Sequence, residues 1–105
     1  MIVIRNVFRL KFGKAREAVA IVKEGLEIQK RIAATVGVDF HSRVLTDVTG
    51  PFYTLVLELS VPSMAVFEQH AAQFMGNAEW QANYQKMQPL VDSGYREIFT
   101  VVAES

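Results

Sequence analysis

The amino-acid order predicts an α+β domain, a four-stranded antiparallel sheet with helices packed on one face. Three observations carry that expectation. Apolar residues alternate near both ends and through the middle of the 105-residue chain, as half-buried strands require. Two intervening stretches instead repeat apolar residues at helical spacing. The resulting order of strand, helix, strand, strand, helix pair and strand is a split βαβ arrangement.

Ile2, Ile4, Phe8, Leu10 and Phe12 alternate with Arg5, Arg9 and Lys11, which predicts a first strand with one buried face. From Gly13 the period lengthens. Ala15, Val19, Val22, Leu26 and Ala33 share a helical face opposite Arg16, Lys23, Glu24, Glu27, Lys30 and Arg31, and the helix is expected to end near Gly37. A second stripe of Ile21, Ile28 and Ile32 widens that face. Gly25 lies beside it at about 1 kcal/mol less helix stability than Ala, marking a place where a second helix can approach closely. Val38, Phe40, Val44 and Val48 alternate with Asp39, His41, Arg43 and Asp47; Thr49-Gly50-Pro51 then interrupts before the Leu- and Val-rich run Phe52 to Val61, predicting a hairpin. Pro62-Ser63 opens a helix with Met64, Phe67, Ala71 and Phe74 on one face, and Gly76 closes it. Asn77 is placed to cap a short helix bearing Trp80, Tyr84, Met87 and Val91, with Pro89 near its end. After Asp92-Ser93-Gly94, Tyr95 to Ala103 reads as the last strand. No repeat or linker interrupts the chain, so one domain over residues 1–105 is expected.

Composition narrows the function. With 50% hydrophobic and 21% charged residues the chain is of ordinary globular make-up. Eleven Lys and Arg balance eleven Asp and Glu, so no charge excess favours nucleic acid or an anionic membrane as partner. Without cysteine there is no disulfide, thiolate metal site or cysteine nucleophile, and a reducing, cytoplasmic compartment is expected. The opening MIVIRNVFRLKFGK, broken by Arg5 and Arg9, reads as a strand rather than a signal peptide. No apolar run is long enough for a membrane span.

The split βαβ order makes a ferredoxin-like βαββαβ layer, with the second helical segment divided in two. If helices cover the even-numbered side of the first strand, Val3, Arg5, Val7 and Arg9 lie on the other. That face is too apolar to be merely solvated and too charged for a core. Pairing with a second copy through the sheet faces would bury Val3 and Val7 while Arg5, Arg9, Arg43, Asp39, Asp47 and Glu58 find partners; a wet face laced with cross-strand ion pairs is the alternative. Two stretches point to a family. Val66-Phe67-Glu68-Gln69-His70 resembles the helical His segment of antibiotic-biosynthesis-monooxygenase-type domains, and Asn77-Ala78-Glu79-Trp80-Gln81-Ala82-Asn83-Tyr84 with Pro89-Leu90 is similar to the Trp-containing C-terminal part of NIPSNAP-like domains. Over nearly the whole chain, the element order resembles the dimeric α+β barrel superfamily. The resemblance implies a homodimer with a small-molecule pocket between sheet and helices. It does not imply one chemistry, because monooxygenases, isomerases, haem enzymes and proteins without known activity share the scaffold.

His70 falls at the flank of its helix's apolar face, where an imidazole can move a proton; a histidine bonded to backbone or water is the plainer alternative. Asn6 interrupts the apolar set of the first strand, so its amide either finds a protein partner or points into a cavity. In cofactor-independent and haem-degrading members of the resembled superfamily, a first-strand Asn works with Trp and His from the helical side. The matching residues here are Asn6, His70 and Trp80, although His precedes Trp, unlike the haem-degrading pattern. Trp80, Tyr84 and Met87 recur at helical spacing, as core packing or as an aromatic pocket wall completed by Phe67. His41 belongs to a charged strand pattern, and no His-x-x-x-His pair, phosphate-cradling loop, dinucleotide fingerprint or nucleophile elbow is present, so neither metal nor cofactor is expected. Two functions remain. One is a small-molecule-binding homodimer acting as a cofactor-independent monooxygenase or isomerase on an aromatic or polyketide-like substrate, with His70 as acid/base, Asn6 and Trp80 positioning oxygen atoms, and Tyr84, Phe67 and Met87 lining the site. The other is a non-catalytic binding or accessory homodimer whose core is filled by side chains.

Overall fold

Strands β1 (Ile2–Leu10), β2 (His41–Thr46), β3 (Thr54–Val61) and β4 (Val91–Thr100) form one antiparallel sheet in the order β2-β3-β1-β4. Helices α1 (Ala15–Val36), α2 (Met64–Met75) and α3 (Ala78–Gln85) follow β1 and β3, and a 3-10 turn at Gln88–Leu90 leads into β4. The computed structural model describes residues 1–38 and 40–105. The predicted ferredoxin-like α+β arrangement is therefore present. Asp39, assigned above to the charged face, lies outside the described residues. No helix among the described residues is long and apolar enough to cross a membrane.

The sheet register fixes which side chains share a face. Asn6 of β1 stands opposite Leu57 of β3 and Arg96 of β4, and Ile4 opposite Leu59 and Ile98, all on the helix side. Two groups of buried residues hold that side: Leu10, Ala18, Val22, Leu55, Met87 and Leu90 at one end, and Ile4, Leu59, Val61 and Phe67 at the other. Each large apolar side chain so buried contributes roughly 1.5–3 kcal/mol. On the opposite face Arg5, Arg43 and Glu58 occupy one cross-strand row. Arg5 Nε donates to Glu58 Oε2 at 2.9 Å, and Arg43 donates to Oε1 through Nε at 3.0 Å and through Nη2. Arg5, Arg43 and Glu58 thus find partners within one chain. Their hydrogen bonds, Arg43's first and then Arg5's, hold the buried Glu58 carboxyl below its usual range against the opposing effect of burial.

Both later helices start at predicted caps. Ser63 Oγ accepts from Val66 N at 3.2 Å and Asn77 Oδ1 from Trp80 N at 2.9 Å. Four expectations are corrected. Phe12 continues the alternation of β1 but lies beyond its end; it is exposed and rests against the Tyr53 ring at 5.0 Å. Val48 and Phe52 are exposed residues of the loop joining β2 to β3, because the strands stop at Thr46 and resume at Thr54. Val91 begins β4 and is not part of the Trp80 helix, which ends at Gln85. The Asp92-Ser93-Gly94 stretch, expected to precede the last strand, lies within it: a Cβ on Gly94 would stand 3.1 Å from the Val7 carbonyl oxygen and 3.3 Å from the Phe8 ring. Glycine is needed there for close approach, not for a bend.

Candidate functional site

A cavity of about 610 Å³ opens between the sheet and the three helices. Its size falls within the range of small-molecule sites, roughly 300–1,000 Å³. Asn6, Phe8, Leu57, Leu59 and Arg96 form the sheet wall, while α1 presents Ile21, Val22, Gly25, Leu26 and Gln29. Phe67, Ala71 and Phe74 of α2, Trp80, Asn83 and Tyr84 of α3, and Met87 just beyond it close the remaining side. The two groups of core residues flank this space, sending Val22 and Met87 from one and Leu59 and Phe67 from the other to its lining.

Asn6 sits in a helix-facing position of β1, where its Oδ1 accepts from Arg96 Nε at 2.7 Å. Both alternatives for Asn6 hold together, since the amide has a protein partner and lines the cavity. The Arg96 guanidinium also lies over the Phe67 ring, 5.6 Å from its centroid. Across the cavity, α1 and α3 meet at Gly25, where a Cβ would stand 3.2 Å from Asn83 Nδ2. The missing side chain lets Asn83 Nδ2 reach the Ile21 carbonyl oxygen at 2.9 Å, which ties the helices together. Asn83 Oδ1 and Gln29 Oε1 are buried and, among the described residues, have no hydrogen-bond partner. Trp80 and Tyr84 stack nearly parallel, with centroids 4.9 Å apart and planes at 10°, and Phe74 packs against the indole at 4.7 Å.

The site residues expected from the sequence divide here. Asn6, Trp80, Tyr84, Phe67 and Met87 all line the cavity. His70 does not. It is fully buried between Phe40 and Phe74, with ring centroids at 4.5 and 4.9 Å, and neither imidazole nitrogen has a hydrogen-bond partner among the described residues. Burial pushes its pKa down and keeps the ring neutral at physiological pH. His41 is exposed on the opposite sheet face, in register with Ser60. Among the described residues no group of three His, Cys, Asp or Glu side chains is placed to hold a metal ion.

The sequence reading missed polar residues of the cavity, among them Gln29, Asn83 and Arg96. Gln29 carried a usable signal, being a polar residue four positions after Gly25 and next to Ile28 on the buried side of α1. Asn83 and Arg96 carried none, because their places depend on how α3 crosses α1 and on the pairing of β4 with β1.

No protein-family model matches the sequence, and no curated protein matches it. Solved structures do match the fold. An uncharacterized NIPSNAP domain protein from Burkholderia xenovorans superposes with a TM-score of 0.83 at 18% identity, over 98% of this chain and 96% of that one. A NIPSNAP family protein from Agrobacterium tumefaciens gives 0.81 at 21% identity, over 99% and 88%. A protein from Nitrosomonas europaea named for the antibiotic biosynthesis monooxygenases gives 0.75 at 12% identity, over 98% and 100%. The resemblance carried by the His70 and Trp80 segments is thus matched at the level of architecture: the chain has the ferredoxin-like α+β fold of NIPSNAP-family and antibiotic-biosynthesis-monooxygenase-like proteins.

Proposed function

We propose that the protein is a small-molecule-binding homodimer whose ligand occupies the cavity between sheet and helices. The observation that carries this reading is the cavity itself, about 610 Å³ with Asn6, Trp80, Tyr84 and Arg96 on its walls. A core filled by side chains would leave no such space. An aromatic or polyketide-like ligand suits the stacked Trp80 and Tyr84 rings and the surrounding apolar side chains. Binding is the better supported activity, because His70, the acid/base candidate for a monooxygenase or isomerase, stands outside the lining. The antibiotic-biosynthesis-monooxygenase-like fold is what favours the catalytic reading.

The dimer rests on the sheet face turned away from the helices. Val3, Val7, Leu45, Val56, Tyr95 and Phe99 share it around the Arg5, Glu58 and Arg43 row. Tyr95 and Phe99 are 57% and 47% exposed. Arg5 and Arg43 both pair with Glu58, Glu97 stands opposite Arg5 in the register and brings the row to zero net charge, and Arg5 stacks over Phe99 at 5.7 Å, so a second copy would cover apolar surface without a net charge at its centre. Lack of cysteine fits a cytoplasmic location.

Thermal melts with increasing naphthol test the ligand site. Binding to the folded state raises the melting temperature by mass action, and Ala71→Phe, which puts a ring into the cavity, is expected to remove that rise. An equal rise in both proteins would place the binding elsewhere. Light scattering is expected to give twice the 11.8 kDa monomer mass.

A further inference from the structure

We infer that the cavity selects a monoanionic, apolar-bodied molecule: a carboxylate held by Arg96 and Asn6 at the sheet wall, with a hydroxyl received by Gln29 or Asn83 at the helix wall. The inference rests on the cavity being a ligand site. Charge is its first support. Among the described residues no Lys, Asp or Glu lines the cavity, and Arg96 is the one charged residue that does. Arg5, Arg31 and Arg43 each pair with a carboxylate, whereas Arg96 makes no ion pair among the described residues. Arg96 is exposed at the cavity wall, and a cation there without a counter-charge is an anion-binding element.

Geometry is the second support. Nε of Arg96 is committed to Asn6 Oδ1 and the guanidinium is steadied over Phe67, leaving the two Nη groups to donate. Because Asn6 accepts through Oδ1, its Nδ2 is a further donor beside them. Two or three donors around one positive charge fit a carboxylate, which takes paired N–H bonds from a guanidinium fork. One cation balances a monoanion and leaves a phosphate dianion undercompensated.

The helix wall presents the opposite polarity. Asn83 is oriented by its Nδ2 bond to Ile21, so its Oδ1 is an acceptor, and Gln29 Oε1 is a second. Gln29 and Asn83 are only 3% and 5% exposed, and both line the cavity. A ligand hydroxyl would supply the donor they lack. Trp80, Tyr84, Phe74 and Leu57 surround the space between the two walls with aromatic and apolar surface.

The test compares naphthol, naphthoate and hydroxynaphthoate by titration calorimetry on the full chain and on Arg96→Met. On the unmutated protein, naphthoate is expected to bind about ten- to a hundredfold tighter than naphthol, the range for charge-assisted hydrogen bonds. Hydroxynaphthoate is expected to gain roughly a further two- to tenfold from the helix-wall acceptors. Arg96→Met should erase the advantage of naphthoate over naphthol, and Arg96→Lys should restore part of it. Naphthoate and naphthol binding equally to the unmutated protein, or a preference that survives Arg96→Met, overturns the anion anchor while the cavity reading stands. Hydroxynaphthoate no tighter than naphthoate overturns the acceptor half. If none of the three binds, the cavity reading itself falls, and this inference with it.

Discussion

Replacing His70 by Leu should stabilise the protein, and more so as the pH falls. The imidazole is fully buried, and among the described residues neither nitrogen has a hydrogen-bond partner. A neutral imidazole carries one donor and one acceptor, and each unpaired buried polar group costs about 1–3 kcal/mol. Against this, Leu forgoes the ring contacts with Phe40 and Phe74, worth roughly 0.5–1.5 kcal/mol each. The balance favours Leu by about 1–3 kcal/mol at neutral pH. Protonation adds a second part. Burial lowers the folded-state pKa of His70 below its ordinary value of 6.5, so the unfolded chain takes up a proton that the folded chain refuses. The native histidine therefore loses stability as pH falls below about 6.5, up to about 1.4 kcal/mol per pH unit, until the folded pKa is reached. His70→Leu lacks this term, so its advantage should widen between about pH 7.5 and 5.5. Urea unfolding at both pH values and one fixed protein concentration reads the difference. A variant less stable than the native protein at neutral pH, with a gap independent of pH, would refute the reasoning and mean that the imidazole is hydrogen-bonded. Because His70 does not line the cavity, naphthol affinity is expected to be retained.

Asn77→Ala removes the cap on Trp80 N and should lower stability by about 1 kcal/mol, a drop of roughly 4–8 °C in melting temperature; an unchanged melting curve would mean the cap contributes nothing. Gly25→Ala puts a Cβ 3.2 Å from Asn83 Nδ2, which cannot retreat without losing its 2.9 Å bond to Ile21. It should destabilise by about 1 kcal/mol in the native background, yet stabilise by about 1 kcal/mol in Asn83→Ala, where only helix propensity remains; equal effects in both backgrounds would deny the contact. For Glu58, Arg43 and then Arg5 hold the folded pKa below 4.5, so its contribution is present above that pH and is lost as pH falls toward the folded value. Glu58→Gln should therefore lower the melting temperature at neutral pH and flatten the acid limb, and parallel profiles would contradict the assignment.

The legible parts of the fold were those set by short-range periodicity. Alternation in β1 placed Asn6 on the helix side and Val3, Arg5 and Val7 on the other, because a strand's period of two leaves no third choice. Ser63 and Asn77 were legible as caps because capping is local. Phe12 misled because alternation continues past the point where the chain leaves the sheet, and Gly94 because the same glycine signal marks a turn or a close approach. In the site, Gly25 announced the meeting of α1 with another helix, and Asn83 is the residue that fills it. The bond between Arg96 and Asn6 spans 90 positions, a separation no local pattern encodes. His70 was placed at the edge of its helix's apolar face; Phe40, from just before β2, encloses it and removes it from the cavity wall.

Trp80 is the only tryptophan in the chain, and its ring lines the cavity against Tyr84. Its indole N–H therefore gives one resolved resonance in a proton–nitrogen correlation spectrum, reporting from inside the site. Titration with naphthol should move that resonance along a saturable curve, together with the side-chain amides of Asn6, Gln29 and Asn83, and Ala71→Phe should abolish the shift. An indole resonance that stays fixed while shifts gather at the separate groove of Phe12, Phe52 and Tyr53, or that never moves at all, would contradict a ligand site between sheet and helices.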